Sequence, residues 1–226
     1  MENTPSTQSN SSSRSRLLEA ARELFYDQGY VATTLAQISE KSGVNNGLIT
    51  YYFKSKRNMA GEIYNMCLME LRNAIAQYLF LHTKEYSMAL DVALETRILL
   101  EQKFKNPNFL RFCIEYQRER DHFDELNLRR ERYYSLQKEL INPEISDLDL
   151  KLYSVCGIAV TERISEAFAK KYIDCDYEYL KDYVTRTLFT MLQLSEEDIE
   201  KLIESSRIWE VKLRFKIGPA FQITRE

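Results

Sequence analysis

The amino-acid sequence predicts an all-α fold, and three observations support this prediction. Only 6 Gly and 4 Pro occur among 226 residues, which leaves little material for turns and favours few, long elements. Apolar residues recur at helical spacing, and no run of 18 or more apolar residues suggests a membrane-spanning helix. The composition, 44% hydrophobic and 29% charged, is that of an ordinary soluble globular protein.

The amino-terminal residues 1–13 are mostly Ser, Asn, Thr and Gln without apolar periodicity, and we expect a disordered leader there. They contain no apolar run and no cleavage signature, so we expect no secretory signal. A first helix is predicted over about 15–28, because its apolar positions follow the i, i+3, i+4, i+7, i+8 pattern. Gly29 ends it, since glycine adopts the left-handed backbone at little cost.

The next segment carries the signals of two short helices. Thr34 followed by Gln37 is a capping box that begins one helix, and the Ser-Gly step at 42–43 ends it. Asn45 is a good N-cap for a second short helix that continues to Phe53. Two short helices joined by a three- to four-residue turn containing Gly form a helix-turn-helix unit.

The remainder of the chain shows helical patterns almost throughout. The helix over about 147–172 is apolar nearly all round in its first half, so both of its sides need to be covered. A single chain supplies one core, and the second face therefore suggests a partner subunit. The helices predicted after Ser55 span about 56–80, 85–104, 107–121, 124–140, 147–172 and 177–193, and another begins at 195–198.

The carboxy-terminal segment admits two interpretations. Apolar and polar residues alternate strictly from Trp209 to Ile217, which is strand periodicity, and a Gly218-Pro219 turn follows. A helix through Trp209, Leu213 and Ile217 can also be drawn. We favour a short extended tail over 209–226.

The charge distribution distinguishes the amino-terminal region from the rest. The chain carries a net charge of −3, yet the stretch from Lys41 to Gly61 holds four bases and no acid. A local basic patch on an acidic body is the electrostatic pattern of a protein that binds a DNA duplex. The alternative is an ordinary solvated basic face.

Spaced residues from the first helix to the start of the fourth follow one known pattern, and they are Leu24-Phe25, Gly29-Tyr30, Thr33-Thr34, Ile38, Gly43-Val44, Gly47, Tyr51, Phe53 and Ser55-Lys56. With these residues, 16–63 resembles the amino-terminal domain of the TetR (tetracycline-repressor) family of transcriptional regulators. The resemblance implies a dimeric repressor that a small-molecule effector releases from a double-stranded, palindromic DNA operator. Together with the composition and periodicity described above, it leads us to expect four segments, namely a leader (1–13), a DNA-binding domain (14–60), an effector-binding and dimerisation domain (61–208) and an extension (209–226).

A recognition helix enters the major groove by its amino-terminal turn, where amide side chains can contact adenine. We expect Asn46 to contact a base, whereas Asn45 is equally well explained as an N-cap. Gly47 would let the backbone approach the duplex, and Thr50 suits a thymine methyl or a phosphate. The family commonly has Ser-Lys at positions 45–46 and an aromatic residue at Thr50, so the operator sequence stays open.

Other residues of this unit are expected to hold the DNA backbone. Tyr51 can donate its hydroxyl to a phosphate, and Thr34 and Lys56 bracket the unit as phosphate clamps that fix its position without reading sequence.

Effector and dimer residues are implied only by the resemblance. Phe112, Tyr116 and Tyr153 lie on helices that line the effector cavity in this family, although each is better explained individually as an ordinary core aromatic. The helix pair 147–172 and 177–193 is the expected dimer interface, with Val155, Gly157, Ala159, Tyr183, Val184 and Leu188.

Two other functional classes were considered. An enzyme is not expected, because the sequence has no G-x-S-x-G, P-loop or H-E-x-x-H motif and only two histidines. A helical adaptor without DNA binding remains the alternative. Four cysteines without a C-x-x-C pair predict no metal site, no cofactor and a reduced, cytoplasmic setting: Cys67, Cys113, Cys156 and Cys175.

Overall fold

The computed structural model describes residues 6–83, 86–119 and 127–226, with side chains from residue 13 onward and, in the seventh helix, from residue 132. The all-α prediction is confirmed. The helices in these ranges are α1 (Ser6–Gln28), α2 (Leu35–Ser42), α3 (Asn46–Phe53), α4 (Lys56–His82), α5 (Met88–Lys105), α6 (Pro107–Glu119), α7 (Asn127–Ile141), α8 (Asp147–Ala169), α9 (Tyr177–Met191) and α10 (Glu196–Leu213). Strands β1 (Phe215–Ile217) and β2 (Ile223–Arg225) pair around a 3-10 turn at Pro219–Phe221.

The chain divides into two compact units. The first comprises Met1–Leu68, Pro107–Arg120 and Ile217–Ile223, so it adds α6 and the hairpin tip to the domain predicted over 14–60. Helix α1 begins at Ser6, and residues 6–13 of the predicted leader are therefore helical. Extending a formed helix costs far less than starting one. Residues 1–5 lie outside the described residues.

The second unit comprises Met69–Asn106, Asp121–Lys216 and Thr224–Glu226. Its core lies among α5, α8, α9 and α10. Within the described residues, no helix is both long and apolar enough to cross a membrane. The buried apolar side chains are Met88, Val92, Ala93, Leu100, Ile145, Tyr153, Val184, Leu188, Phe189, Leu192, Ile199, Leu202 and Ile203.

A buried ion-pair network joins α5, α9 and α10. The guanidinium of Arg97 is fully buried and donates to Glu210 at 2.7 Å, to Glu178 at 2.6 Å and to Asp182. Lys181 Nζ lies 2.7 Å from Glu210 Oε1, so Glu210 faces two buried cations. Ion pairs of this kind fix which face of a helix turns inward, because an unpaired buried charge is strongly destabilising.

The extended tail predicted from Trp209 is wrong for residues 209–213. Helix α10 continues to Leu213 and ends at Arg214, whose φ is +50°. The buried positions are Ser206, Glu210 and Leu213, whereas Val211 is 68% exposed. The alternation of apolar and polar residues suggested a strand because it treats Glu210 as an outward-facing residue. Glu210 is in fact buried on α10, where Arg97 and Lys181 bind it. The turn at Gly218-Pro219 and the strand over 215–217 are confirmed.

Candidate nucleic-acid interface

Helix α2 begins as its capping box predicts. The Thr34 hydroxyl accepts from the Gln37 amide at 3.2 Å, and the Thr34 amide donates to Gln37 Oε1 at 2.8 Å. Both bonds satisfy amides that a helix start leaves without partners. Thr34 is itself exposed.

The turn between α2 and α3 is closed by local hydrogen bonds. Gly43 adopts φ +64° at the end of α2, a conformation that favours glycine, and Val44 is buried behind it. Ser39 Oγ donates to the Val44 carbonyl at 2.6 Å. Asn45 Oδ1 accepts from the Gly47 amide at 2.8 Å, so the N-cap role of Asn45 is confirmed. These bonds orient α3 relative to α2.

Helix α3 has one buried face and one exposed face. Ile49 and Phe53 are buried, and they anchor the helix in the first unit. The predicted DNA-contacting residues of α3 and its N-cap are all exposed, and residues three or four apart lie side by side on a helix. The exposed residues of this surface are Asn45, Asn46, Gly47, Thr50 and Tyr51.

Tyr51 is the most prominent side chain of this surface, with 73% of its area exposed. Its ring lies edge-on to that of Tyr52, with centroids 5.0 Å apart. Tyr52 in turn packs against Phe53 at 6.3 Å. The contacts leave the Tyr51 phenol directed away from the core, as a phosphate donor requires.

Lys54 is a basic residue of this region that the sequence analysis did not select. It is exposed and caps α3 with φ +63°. A basic residue directly after the recognition helix is a candidate phosphate contact, and this position could have indicated Lys54 from the sequence. Lys41, by contrast, pairs with Glu23 at 2.6 Å.

Lys56 has an internal role that the sequence did not predict. Its Nζ donates to the carbonyl oxygens of Tyr30 and Thr33, both at 2.9 Å, and lies 4.2 Å from the centroid of the Tyr30 ring. Burial lowers the pKa of Lys56, while the charges of Glu119 and Glu115 oppose that shift. Lys56 therefore holds the α1–α2 connection with two of its three ammonium N–H groups. Only the third N–H could make the predicted phosphate contact.

Helix α6 holds the same connection. Glu115 Oε2 accepts from the Val31 amide at 2.8 Å, and Arg111 donates to the Asp27 carbonyl at 2.7 Å. Gly29 has φ +89°, and a Cβ there would lie 2.6 Å from Glu115 Oε2. The positive φ favours glycine at position 29, and any larger residue would also have to displace the Glu115 carboxylate.

The hairpin tip completes the core of the first unit. The Phe221 side chain is fully buried, with ring centroids 4.6 Å from Phe112 and 5.5 Å from Tyr26. Arg22 Nε donates to the Ala220 carbonyl at 2.8 Å. Ala220 and Phe221 both have positive φ, a strained conformation that persists only when surrounding contacts impose it. No pattern in the sequence indicated this contact.

The residues proposed for effector binding do not form one group. Phe112 and Tyr116 stack at 5.7 Å, and Phe112 packs against Phe25 at 5.8 Å, so both belong to the core of the first unit. Tyr153 belongs to the second unit, where its hydroxyl donates to Gln137 Oε1 at 2.8 Å. Phe112 and Tyr116 are thus explained as ordinary core aromatics of the first unit.

The residues proposed for the dimer interface fall on two faces. Val155, Ala159 and Tyr183 are exposed. The assignment of Gly157, Val184 and Leu188 is corrected, because these three residues are buried within the chain's own core. A Cβ on Gly157 would lie 3.0 Å from Leu188 Cδ2, so this glycine allows α8 and α9 of one chain to pack closely.

Known proteins match the first unit in sequence. Residues 17–63 match the family described as bacterial regulatory proteins, tetR family. The chain is 30% identical over 66 residues to the HTH-type transcriptional regulator BetI of Yersinia pestis, covering 29% of this chain and 33% of BetI. It is 38% identical over 52 residues to the HTH-type transcriptional repressor KstR2 of Mycolicibacterium smegmatis, covering 23% and 25%. The chain thus spans about a third of the length of the first relatives it matches.

Solved structures match most of the chain in fold. RolR in complex with resorcinol superposes with a TM-score of 0.59 at 17% identity, covering 87% of this chain and 95% of RolR. A TetR transcriptional regulator from Rhodococcus sp. RHA1 gives 0.55 at 14% identity, covering 84% and 100%. At these identities the likeness concerns the fold alone. The segment that holds the capped helix pair α2–α3, residues 17–63, thus matches the tetR family of bacterial regulatory proteins.

Proposed function

We propose that this protein is a DNA-binding transcriptional regulator, a homodimer that a small-molecule effector releases from its operator. The observation that supports this most directly is the exposed face of α3, which presents Asn46, Thr50 and Tyr51 on a rigidly capped helix. Amide and hydroxyl groups at the amino-terminal end of such a helix can reach base edges and phosphates in the major groove.

Dimerisation is supported by apolar side chains that remain exposed on α8 and α9. On α8, Leu148, Leu152 and Val155 follow one another at intervals of one helical turn. Leu148 is 68% exposed and Leu152 is 53% exposed. Tyr179 and Tyr183 on α9 are 63% and 51% exposed. A palindromic operator would require the two α3 helices of such a dimer to enter major grooves about 34–36 Å apart or at a multiple of that distance.

Effector binding is proposed for the second unit, where Tyr153 lies in a buried group of polar side chains. RolR was solved with the ligand resorcinol, which is consistent with small-molecule binding in a protein of this fold. An effector can release DNA only if it binds the DNA-free conformation more tightly than the DNA-bound one. We expect a cytoplasmic location and no enzymatic activity.

The proposal is tested by selecting bound duplexes from a random pool with the purified protein and with Asn46→Ala. We expect the wild type to enrich a palindromic sequence and the variant to enrich an altered one. If the wild type retains no duplex even at low salt, the helical adaptor becomes the better explanation.

A further inference from the structure

The second unit contains a buried group of charged and phenolic side chains that the proposed DNA interface does not use. Asp91 and Glu95 lie one turn apart on α5 and are 7% and 6% exposed. Glu95 Oε2 accepts from Arg72 Nε at 2.8 Å and from the Tyr133 hydroxyl at 2.7 Å. The Arg72 guanidinium also stacks 3.7 Å from the Tyr133 ring centroid. Glu95 Oε2 therefore has two hydrogen-bond donors.

Asp91 is not supplied in the same way. Its Oδ2 accepts from the Tyr86 hydroxyl at 3.0 Å. Its Oδ1 is buried and has no hydrogen-bond partner among the residues that the structure describes. A buried carboxylate oxygen without a donor is costly, because the group has been removed from water and gained nothing in return.

The charges of this group do not balance. Two carboxylates, Asp91 and Glu95, face one guanidinium, and Arg72 is bonded to Glu95. Burial raises the pKa of Asp91 to about 6, with the Tyr86 hydrogen bond opposing the shift and the Glu95 charge adding to it. Asp91 is consequently still mostly ionised at neutral pH, and among the residues that the structure describes, the group holds two carboxylates and one guanidinium.

The surroundings of Asp91 suit a positive charge. The phenol of Tyr86 bonds it directly, and Tyr133 on α7, which bonds the neighbouring Glu95, lies close enough to interact electrostatically with Asp91. Aromatic faces attract cations, most strongly away from water. Tyr86 precedes α5 and is 49% exposed, so the side chain that bonds the buried carboxylate also reaches solvent.

We propose that Asp91 is the anchor for a small organic ammonium ion, whose N–H donates to Oδ1 and whose charge balances the buried carboxylate. This inference rests on the proposed effector-dependent function and names the chemical class of the effector. The ligand carries both a positive charge and an N–H donor. It also carries an apolar group that packs against the tyrosine rings.

The test measures melting temperature and calorimetric binding at pH 7.5 with benzylamine and cyclohexylamine, and with benzyl alcohol and benzyltrimethylammonium as probes that lack the charge or the N–H. A ligand that binds the folded state raises its melting temperature. We expect both amines to stabilise the wild type, with at least tenfold weaker binding of the other two probes. Absence of a response to both amines, or equal binding of benzyl alcohol or benzyltrimethylammonium, would overturn the proposal.

Asp91→Asn keeps the shape of the side chain and removes its charge, and Asp174→Asn removes an exposed carboxylate as the matched control. Amine binding should weaken at least tenfold in Asp91→Asn and stay unchanged in the control. If Asp91→Asn does not fold, the wild type is measured at pH 5.0, where protonation of Asp91 beside Tyr86, Glu95 and Arg72 should weaken amine binding about tenfold. Equal binding in either comparison contradicts the proposal.

Failure of this inference and failure of the proposed function give different results. If the protein selects a duplex but no amine binds, the regulator remains and the ligand class is wrong. If amines bind as expected but no duplex is retained, the site is real and the DNA-binding function is wrong.

Discussion

The ammonium group of Lys56 lies 2.9 Å from the Tyr30 carbonyl oxygen and 4.2 Å from the centroid of the same tyrosine ring. One side chain at the start of α4 therefore holds both the backbone and the ring of a residue at the α1–α2 connection. The α6 side chains Arg111 and Glu115 also hold this connection. The position of α2 thus depends on side chains of α4 and α6.

Lys56→Ala and Lys54→Ala should separate stability from phosphate binding. Lys56→Ala leaves the carbonyls of Tyr30 and Thr33 without their donor, so we expect a lower free energy of unfolding by about 1–3 kcal/mol. Lys54→Ala removes an exposed base, so we expect unchanged stability and weaker binding to every duplex. The slope of log affinity against log salt should fall by about one unit for each phosphate interaction that the substitution removes. Urea unfolding and salt titrations of DNA binding measure the two effects, and a salt-slope change confined to Lys56→Ala would contradict this assignment.

Phe221→Ala should destabilise the first unit although the residue lies far from α3 in sequence. The side chain is fully buried between Phe112 and Tyr26, and removing a buried phenylalanine costs about 3–5 kcal/mol. Val211→Ala is the control, because Val211 is 68% exposed. Calorimetric unfolding should show a lower melting temperature for Phe221→Ala only. Equal effects of the two substitutions would mean that the tip does not support this core.

Ala159→Arg should convert the protein from dimer to monomer. Ala159 lies on the exposed apolar stripe of α8, one turn after Val155, and an unpaired arginine there would be buried by a second copy. Ser205→Arg, on the exposed side of α10, is the control. Sedimentation velocity reports the change, and operator affinity should fall with it. A protein that stays dimeric with Ala159→Arg has its interface elsewhere.

Asp91 should make stability depend on pH in an unusual direction. Its pKa is raised by burial to about 6 in the folded state, so the folded protein binds a proton more tightly than the unfolded chain. The stabilisation from that proton is present at low pH and is lost as the pH rises through 6. Relative to Asp91→Asn, the wild type should lose about 2 kcal/mol of unfolding free energy between pH 4.5 and 7.5. Urea titrations of both proteins at the two pH values measure this difference, and parallel profiles would show that Asp91 does not titrate there.

The helix-turn-helix was predictable from sequence because its signals are local. The bonds of Thr34 to Gln37 and of Asn45 to Gly47 each join residues within three positions of one another, so residue type and spacing were sufficient. The exposed residues of α3 followed from the same periodicity that buried Ile49 and Phe53.

The features that sequence did not predict depend on contacts between distant residues. Whether α10 continued past Trp209 was decided by Arg97, which binds Glu210 from another helix and makes a charged position the buried one. Gly157 on α8 and Leu188 on α9 pack against each other within one chain. The apolar pattern of these helices did not show which apolar residues face the chain's own core and which stay exposed for a partner. The internal bonds of Lys56 likewise required the fold to be known.

The burial of Phe221 in the first unit has a consequence for biosynthesis. Helices α1 to α3 leave the ribosome early, but the aromatic side chain that fills their domain's interior is synthesised only after α10. A nascent chain arrested before residue 217 would expose Tyr26 and Phe112 to water and to chaperones. Folding of the first unit would therefore be completed only after the hairpin has been synthesised, and the DNA binding proposed for this unit would follow that step.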